Sequence, residues 1–310
     1  MTTESRRIRK VAILGATGAL GNALIPSLQK AGFEVTAIGR LNSTSLLPPG
    51  INSKSADYNN RASLKDALQG QDAIIEAFNP AAAAMQHVIV QAAIDAGIVH
   101  LITPDFSCDT FNPNIPELMV FEPKIQAQKE LERLVAASNG ALSWTAVIVG
   151  PWYDWATDAG QFWIDKKNRK ISRFGTGHQR YSMSRYQATG DATVAVLENP
   201  ERYRNRPAYF ASHTISTNQL IAVIEELGLE AWTVVDIPIS DFLLKGKELW
   251  DEDTEKGVHV RMNTPAYLML ATVSLVDENN RYGADFGDKV EPGWDEGQEA
   301  LKENLRNLLQ

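Results

Sequence analysis

The chain has 310 residues, of which 44% are hydrophobic and 22% are charged, so it can bury a full core and lacks the composition of a disordered protein. A formal net charge of −8 argues against nucleic-acid binding, because phosphate groups are bound by clusters of Lys and Arg. The single cysteine, Cys108, excludes an internal disulfide and a multi-cysteine metal site and favours a reducing compartment, so a cytoplasmic protein is expected. No run approaches the roughly 18 consecutive apolar residues of a membrane helix, and no membrane contact is expected.

Short β-rich runs alternate with longer helical runs from Val11 to Gly150. The β-rich runs include "VAILG", "EVTAIG", "DAIIEAF", "VHLIT" and "LSWTAVIVG". This alternation predicts right-handed βαβ units and a doubly wound parallel sheet covered by helices on both faces, which is a Rossmann-type α/β fold. After Gly150 the sequence becomes aromatic-rich and irregular before helix and strand patterns return, so a smaller, mixed α/β part is expected toward the C-terminus.

A glycine-rich turn, "VAILGATGALG", joins the first predicted strand to the first predicted helix. Small residues at this position let the chain turn tightly and let a pyrophosphate approach the backbone, while the helix N-terminus offers N–H groups and a positive dipole end. A purely structural strand-to-helix turn is the alternative. If the turn binds a dinucleotide, the predicted cofactor contacts are Gly15, Thr17, Gly18, Ala19, Leu20 and Gly21.

Arg40 ends the second predicted strand, where an acidic side chain would bind the adenosine ribose of NAD. An arginine cannot accept a hydrogen bond from the 2′-hydroxyl, but its planar guanidinium suits a 2′-phosphate. NADP(H) is therefore favoured over NAD(H) as the cofactor. The alternative is a solvated loop arginine.

Three more cofactor candidates follow the third and fourth predicted strands. They are Asp57, Phe78 and Asn79, which lie at carboxyl ends of strands, where ligands bind in such sheets. Asp57 could equally be a turn residue, and Phe78 could equally belong to the core.

The stretch "FEPKIQAQKELERL" (121–134) predicts a helix that carries two lysines, Lys124 and Lys129. At about 100° per residue, Lys124 falls in the apolar stripe with Ala127 and Leu131, and Lys129 falls on the opposite side. Lys124 is therefore predicted to point toward the apolar side and Lys129 toward water. The alternative is that the stem of Lys124 snorkels past the stripe to solvent.

Aromatic residues are concentrated just past the predicted carboxyl edge of the sheet, in "GPWYDW" and "GQFW". Apolar and aromatic surface is typical of a small-molecule pocket, and an aromatic or polyketide-like substrate would fit it. Some of these side chains are expected to pack the second domain instead. The predicted substrate contacts in this part of the chain are Trp152, Tyr153, Trp155, Phe162, His178 and Tyr181.

Several common catalytic motifs are missing from the sequence. None of the eight tyrosines is followed by a lysine four residues later, so the Tyr-x-x-x-Lys pair of most short-chain dehydrogenases is absent. There is no GxSxG elbow, HExxH motif or P-loop, and the five histidines are scattered, so no metal site is expected.

Four segments together carry a family resemblance: the glycine turn, "VHLITPDFS", "FEPKIQAQKELERL" and "LSWTAVIVGPWYDW". They resemble the NmrA-like branch of atypical short-chain dehydrogenases, close to isoflavone reductases and phenylcoumaran benzylic ether reductases, with the fungal members nearest. The resemblance covers essentially the whole chain. It implies that Lys124 corresponds to the proposed catalytic lysine of these reductases.

The same resemblance assigns roles to the segment "LITPDFS", which matches the family's Phe-x-Pro-Ser-Glu-Phe-Gly with several substitutions. Thr103 and Pro104 are implied to contact the cofactor, and Asp105 and Phe106 the substrate. Because Thr103-Pro104 replaces Pro-Ser, the hydroxyl near the nicotinamide comes from Thr103 or is absent.

The sequence thus predicts an NADPH-dependent reductase of a small secondary metabolite, with Lys124 as proton donor or orienting group. Lys124 is also a predicted cofactor contact, since it could hold the nicotinamide ribose. The alternatives are a dinucleotide-sensing regulator of the NmrA kind, since some relatives lack the lysine and do not act as reductases, and a redox-neutral isomerase. The predicted domains are an NADP-binding domain over 1–150, completed by about 187–215, and a substrate-binding part over 151–186 and 216–310. Either a monomer or a homodimer is compatible with the sequence.

Overall fold

The computed structural model describes residues 7–43, 46–78, 84–229, 231–262 and 264–310. In chain order the strands and helices are β1 (Lys10–Leu14), α1 (Ala19–Lys30), β2 (Glu34–Arg40), β3 (Asn52–Ala56), α2 (Arg61–Leu68), β4 (Ala73–Glu76), α3 (Gln86–Ala96), β5 (His100–Ile102), α4 (Glu122–Ala137), β6 (Ser143–Ile148), α5 (Tyr153–Asp158), β7 (Ile164–Asp165), β8 (Lys170–Phe174), β9 (Arg180–Met183), α6 (Tyr186–Glu198), β10 (Arg206–Tyr209), β11 (His213–Ser216), α7 (Thr217–Glu226), β12 (Thr233–Ile237), α8 (Phe242–Glu255), α9 (Pro265–Val276) and α10 (Gly297–Leu309).

The main sheet of the described chain has seven strands in the order β10-β6-β5-β4-β1-β2-β3. It is a parallel sheet, with β1 paired to both β2 and β4. Strands β4 and β6 are buried along their whole length, as expected for parallel strands that have helices on both faces. The predicted Rossmann-type fold is therefore present. From β1 the chain continues to β2 and β3 on one side, and then returns to β4 on the other side. The carboxyl end of β1 therefore lies at the switch point of the sheet, where ligands bind in such folds.

The chain forms two compact units. Unit 1 contains residues 1–106, 123–147 and 187–208, and unit 2 contains residues 107–122, 148–186 and 209–310. Residues 107–122 belong to unit 2, whereas the sequence predicts them in the first domain.

Long-range bonds within unit 2 explain the position of residues 107–122. The buried carboxylate of Asp109 accepts hydrogen bonds from the hydroxyl of Tyr209 at 3.1 Å and from Nζ of Lys289 at 2.9 Å. Glu117 pairs with Arg281. Because the partners lie more than 90 residues away, periodicity along the chain could not reveal these bonds.

Unit 2 contains two small sheets, an antiparallel pair of β9 and β11 and a three-stranded sheet of order β12-β8-β7. Helix α7 begins with a capping box, in which Ser216 and Gln219 satisfy each other's backbone N–H groups. The hydrophobic core of unit 2 contains aromatic and aliphatic side chains from α5, β9, α7, α9 and α10. Among the described residues, no helix is both long and apolar enough to cross a membrane.

Candidate active site

The turn between β1 and α1 needs glycine at two of its three glycine positions. Gly15 has φ +91°, and a Cβ there would lie 2.3 Å from the carbonyl oxygen of Ala77. A Cβ on Gly21 would lie 2.4 Å from the carbonyl oxygen of Ala16. Glycine at these positions lets β1 lie against the chain after β4 and lets α1 pack on its own turn.

Gly18 differs from the other two glycines, because neither its backbone conformation nor its surroundings require glycine. It has φ −80°, and a Cβ there would meet only the carbonyl oxygen of Gly15, at an ordinary 3.5 Å. Gly18 is the N-cap of α1, the cap makes no side-chain hydrogen bond, and the first turn has no acidic residue. The positive end of the helix thus has neither a side-chain cap nor an acidic residue, which suits the pyrophosphate of a dinucleotide.

A cleft of about 400 Å³ in unit 1 begins at this turn. The residues that line it are Gly15, Ala16, Thr17, Gly18, Ala37, Ile38, Gly39, Arg40, Ser43, Leu47, Ser53, Lys54, Ser55, Tyr58, Ala77, Phe78 and Met85. Arg40 lines the cleft and its side chain is exposed. Of the predicted cofactor residues, the cleft thus includes Gly15, Thr17, Gly18, Arg40 and Phe78, whereas Ala19, Leu20 and Gly21 lie in α1 behind the turn.

Several cleft residues were not predicted from the sequence. The hydroxyl of Tyr58 donates a hydrogen bond of 2.5 Å to the carbonyl of Ile38 and so ties the end of β2 to the chain after β3. Lys54 also lines the cleft, and its Nζ donates a hydrogen bond of 2.8 Å to the carbonyl of Ala67 near the end of α2, which ties β3 to that helix. The run of four consecutive polar residues in "NSKSADY" was the available signal, since it is typical of an exposed edge strand, and the first four residues of β3 are indeed exposed.

Asp57 serves the turn after β3. Its Oδ1 accepts a hydrogen bond from the N–H of Asn59 at 3.0 Å, and its own N–H donates to the hydroxyl of Ser63 at 3.0 Å. The described cleft lining includes both Ser55 and Tyr58 but not Asp57. These contacts fit the turn-residue alternative. Asn79 lies outside the described residues.

Lys124 and Lys129 have the directions that the helix stripe predicts. Lys129 is exposed, whereas Lys124 is half-buried and its Nζ donates a hydrogen bond of 2.6 Å to the main-chain carbonyl of Asp105. The loop that supplies this carbonyl is itself fixed, because the hydroxyl of Thr103 donates to Oδ2 of Asp105 at 2.5 Å. The N–H of Phe106 also bonds to β6, at the carbonyl of Val147. The ammonium group is therefore held against a rigid polar loop.

Phe106 does not fit its predicted role as a substrate contact. It is buried, and it has φ +38°, a conformation that costs energy for a residue with a side chain. Thr103, Pro104 and Asp105 are buried as well. All four side chains of the loop 103–106 are therefore buried, and Phe106 packs in the core.

Glu76 is a buried carboxyl that the sequence analysis did not identify. It ends β4, it is fully buried, and burial raises its pKa to about 8. Its Oε2 accepts a hydrogen bond of 3.1 Å from Nε2 of Gln86. The signal was present in "DAIIEAF", since an acidic residue inside a fully apolar strand is unusual.

The aromatic residues of unit 2 divide into a buried set and an accessible set. Tyr153 and Tyr181 are buried, and Tyr181 stacks on the buried Trp163 with ring centroids 3.9 Å apart. Both side chains belong to the hydrophobic core of unit 2, although the sequence predicts them as substrate contacts. Phe162 is half-buried against the same core, and His178 is exposed.

The accessible set consists of Trp152, Trp155 and Tyr186, which we call the aromatic corner. Trp152 meets Trp155 edge-on at 6.0 Å and Tyr186 at 5.2 Å between ring centroids, and Trp155 is 39% exposed. Oδ1 of Asp154 accepts a bond of 2.8 Å from the N–H of Tyr186, which ties the starts of α5 and α6 together. Within the described parts of the chain, no group of three or more His, Cys, Asp or Glu residues could hold a metal ion.

Comparison with known proteins gives one family and several relatives. The profile of the NmrA-like family matches residues 8–245. A relative named Oxidoreductase aprR from Aspergillus flavus is 28% identical over 229 residues, which are 73% of this chain and 76% of the relative.

Two solved structures share the fold. The structure described as AtPrR2 with NADP+ and (+)pinoresinol has a TM-score of 0.73 at 16% identity and covers 98% of this chain and 100% of its own. The complex of leucoanthocyanidin reductase with NADPH from Vitis vinifera has a TM-score of 0.72 at 15% identity and covers 97% and 99%. At these identities the likeness establishes the fold alone.

Proposed function

Because this chain belongs to the NmrA-like family, we propose that it is an NADPH-dependent reductase of a small, aromatic or polyketide-like metabolite. The expected reducible group is a ketone, an enone or a benzylic ether. One observation carries the proposal: unit 1 combines a glycine turn whose helix has no side-chain cap with a lysine whose ammonium group is bonded to the loop after β5. A relative with the name of an oxidoreductase supports an enzyme rather than a regulator.

NADP(H) is the cofactor that suits the cleft. Gly15, Thr17 and Gly18 would hold the pyrophosphate at the start of α1, and Arg40 would hold the 2′-phosphate. NADP+ and NADPH are named in the two solved structures of the same fold, which supports this choice. When bound, the reduced nicotinamide supplies the hydride.

Lys124 is proposed to neutralise the charge that forms during reduction. Hydride addition to a carbonyl or conjugated acceptor builds negative charge on oxygen, and a positioned ammonium can donate a proton to that oxygen. The bond from Nζ of Lys124 to the Asp105 carbonyl fixes where the ammonium lies. The bond from Thr103 to Asp105 in turn holds that loop in place.

The aromatic corner in unit 2 is proposed to contribute to substrate selection. Trp152, Trp155 and Tyr186 present ring faces and edges, which suit stacking against another aromatic ring. The AtPrR2 structure contains (+)pinoresinol as a small-molecule ligand, which supports a substrate of that size class.

The direct test is consumption of NADPH with a panel of aromatic ketones, enones and benzylic ethers, with product identification by mass spectrometry. A reductase oxidises NADPH in step with formation of a product two hydrogens heavier than its substrate. A product of unchanged mass would indicate a redox-neutral isomerase. Tight NADPH binding with no turnover on any compound, together with a protein partner in pull-down experiments, would indicate a regulator and overturn the proposal.

A further inference from the structure

Glu76 and Gln86 join two stretches of the cleft wall. Glu76 is followed in the sequence by Ala77 and Phe78, and Gln86 is preceded by Met85. Ala77, Phe78 and Met85 all line the cleft. Both side chains are buried, and Gln86 Nε2 donates to Glu76 Oε2 at 3.1 Å. The pair therefore connects the end of β4 to the start of α3 at the cleft.

The other oxygen of each side chain in this pair has no hydrogen-bond donor. Oε1 of Glu76 and Oε1 of Gln86 are both buried, and neither has a hydrogen-bond partner among the described residues. Both atoms can only accept if Glu76 is a carboxylate. If Glu76 is the neutral acid, it gains an O–H donor, for which the unpartnered oxygen of Gln86 is the candidate acceptor. Buried polar atoms are rarely left unpaired, which favours the neutral acid.

The surroundings of Glu76 favour the same form. Burial is the main cause of its raised pKa, and the negative charge of Asp105 raises it further. The β1 residue in register with it is Leu14, which carries no charge. On β5, the buried His100 has its pKa lowered to about 3 and is neutral.

The charged groups on the neighbouring helices α3 and α4 have other partners. On α3, His87 bonds to Glu130 on the exposed side. On α4, the ammonium of Lys124 is bonded to the carbonyl of Asp105.

We propose that Glu76 is a positioning residue for the dinucleotide: as a neutral acid paired with the Gln86 amide it fixes the cleft wall, and loss of its proton weakens NADPH binding. The proposal rests on the proposed cofactor. Ionisation would remove one hydrogen bond from the pair and place a second buried negative charge near Asp105. Ala77, Phe78 and Met85 would then lose the support that holds them in place.

The test is the affinity for NADPH, measured by fluorescence titration from about pH 6 to about pH 9.5. We expect the wild-type Kd to rise up to about tenfold between pH 7 and pH 9, because roughly a tenth of Glu76 keeps its proton one unit above its pKa. Glu76→Gln, which cannot ionise, should keep the affinity at pH 7 within about twofold and lose the excess pH dependence. Glu132→Gln, which changes an exposed carboxyl on α4, is the matched control and should follow the wild type.

A Glu76→Gln variant whose affinity still falls with pH as the wild type does would overturn the proposal. Difference infrared spectroscopy of the wild type provides a measurement that does not depend on a variant. It should detect a protonated carboxyl that titrates near pH 8. Absence of that signal would also overturn the proposal. If the wild type binds no NADPH at any pH, the proposed cofactor fails, and the infrared signal still decides whether Glu76 carries a proton.

Discussion

Lys124 and Lys129 show how two identical side chains on one helix acquire different surroundings. They are five positions apart on α4, so one falls near the apolar stripe and the other opposite to it. Only Lys124 reaches the loop after β5, where it bonds to the carbonyl of Asp105. A lysine held in one place by the fold is a better candidate for proton transfer than one that moves freely in solvent.

Replacing each lysine by methionine tests this difference. Lys124→Met keeps the length of the side chain but removes the ammonium group, so turnover should fall by roughly 10²- to 10⁴-fold. Lys129→Met is the matched control and should leave the rate within about twofold of wild type, because that side chain is exposed. Steady-state rates with NADPH and a fluorescence titration of its binding would be measured together. Turnover of Lys124→Met close to wild type would exclude a catalytic role for this lysine.

Arg40 is the single residue on which the choice between NADPH and NADH is predicted to depend. We expect the wild type to bind NADPH at least tenfold more tightly than NADH, or by about 1.4 kcal/mol. Arg40→Asp should reverse the order, since a carboxylate repels the 2′-phosphate and accepts a hydrogen bond from the 2′-hydroxyl. Calorimetric titration with both dinucleotides would measure the four affinities. Equal wild-type affinities for the two would show that Arg40 is only a solvated residue.

At the scale of elements, α5 carries neighbouring aromatic residues with opposite environments. Tyr153 at its start is buried in the core of unit 2, whereas Trp155 is partly exposed in the aromatic corner. Burial also raises the pKa of the Tyr153 hydroxyl above its ordinary value, as expected for a phenol inside a core. The short helix therefore separates a packing face from an accessible face within three residues.

Alanine substitutions on the two faces of α5 should have different effects. Trp155→Ala should weaken substrate use and leave NADPH affinity and folding nearly unchanged. Tyr153→Ala should instead cost about 3–5 kcal/mol of unfolding free energy, because it leaves a cavity in the core. Denaturant unfolding and kcat/KM would be compared for both variants. A Trp155→Ala variant with unaltered kcat/KM for the best substrate would remove the aromatic corner from the substrate site.

At the scale of the whole molecule, two buried ionisable groups make folding stability depend on pH in opposite directions. The pKa of Glu76 is raised to about 8, so its neutral form favours the folded state and this stability is lost as pH rises from about 4.5 toward 8. The pKa of His100 is lowered to about 3 because of burial, so stability is lost as pH falls from about 6.5 toward 3. The two contributions leave a plateau between about pH 4.5 and pH 6.5.

Comparison of wild type with Glu76→Gln isolates the alkaline part of this profile. Between about pH 4.5 and pH 8, the unfolding free energy of the wild type should fall relative to the variant by up to about 1.4 kcal/mol per pH unit. Urea unfolding at several pH values would measure both proteins. Parallel curves for the two proteins would show that Glu76 ionises normally in the folded state.

Features that depend on local order along the chain could be predicted from the amino-acid sequence. Alternation of strand and helix patterns predicted the parallel sheet, and the spacing of Gly15, Gly18 and Gly21 predicted the turn at the end of β1. The angular position of Lys124 on its helix predicted its direction. Each of these follows from backbone periodicity or from a steric limit on a few consecutive residues, so neighbouring letters are enough to reveal it.

Contacts between side chains that are far apart in sequence became visible only in the folded chain. The structure places Tyr153 and Tyr181 in the core, although aromatic residues are also typical of a substrate pocket. It brought Gln86 to Glu76, and it brought Lys289, 180 residues away, to Asp109. Burial and pairing of polar groups are properties of the folded neighbourhood, because they depend on which distant segments exclude water from a residue.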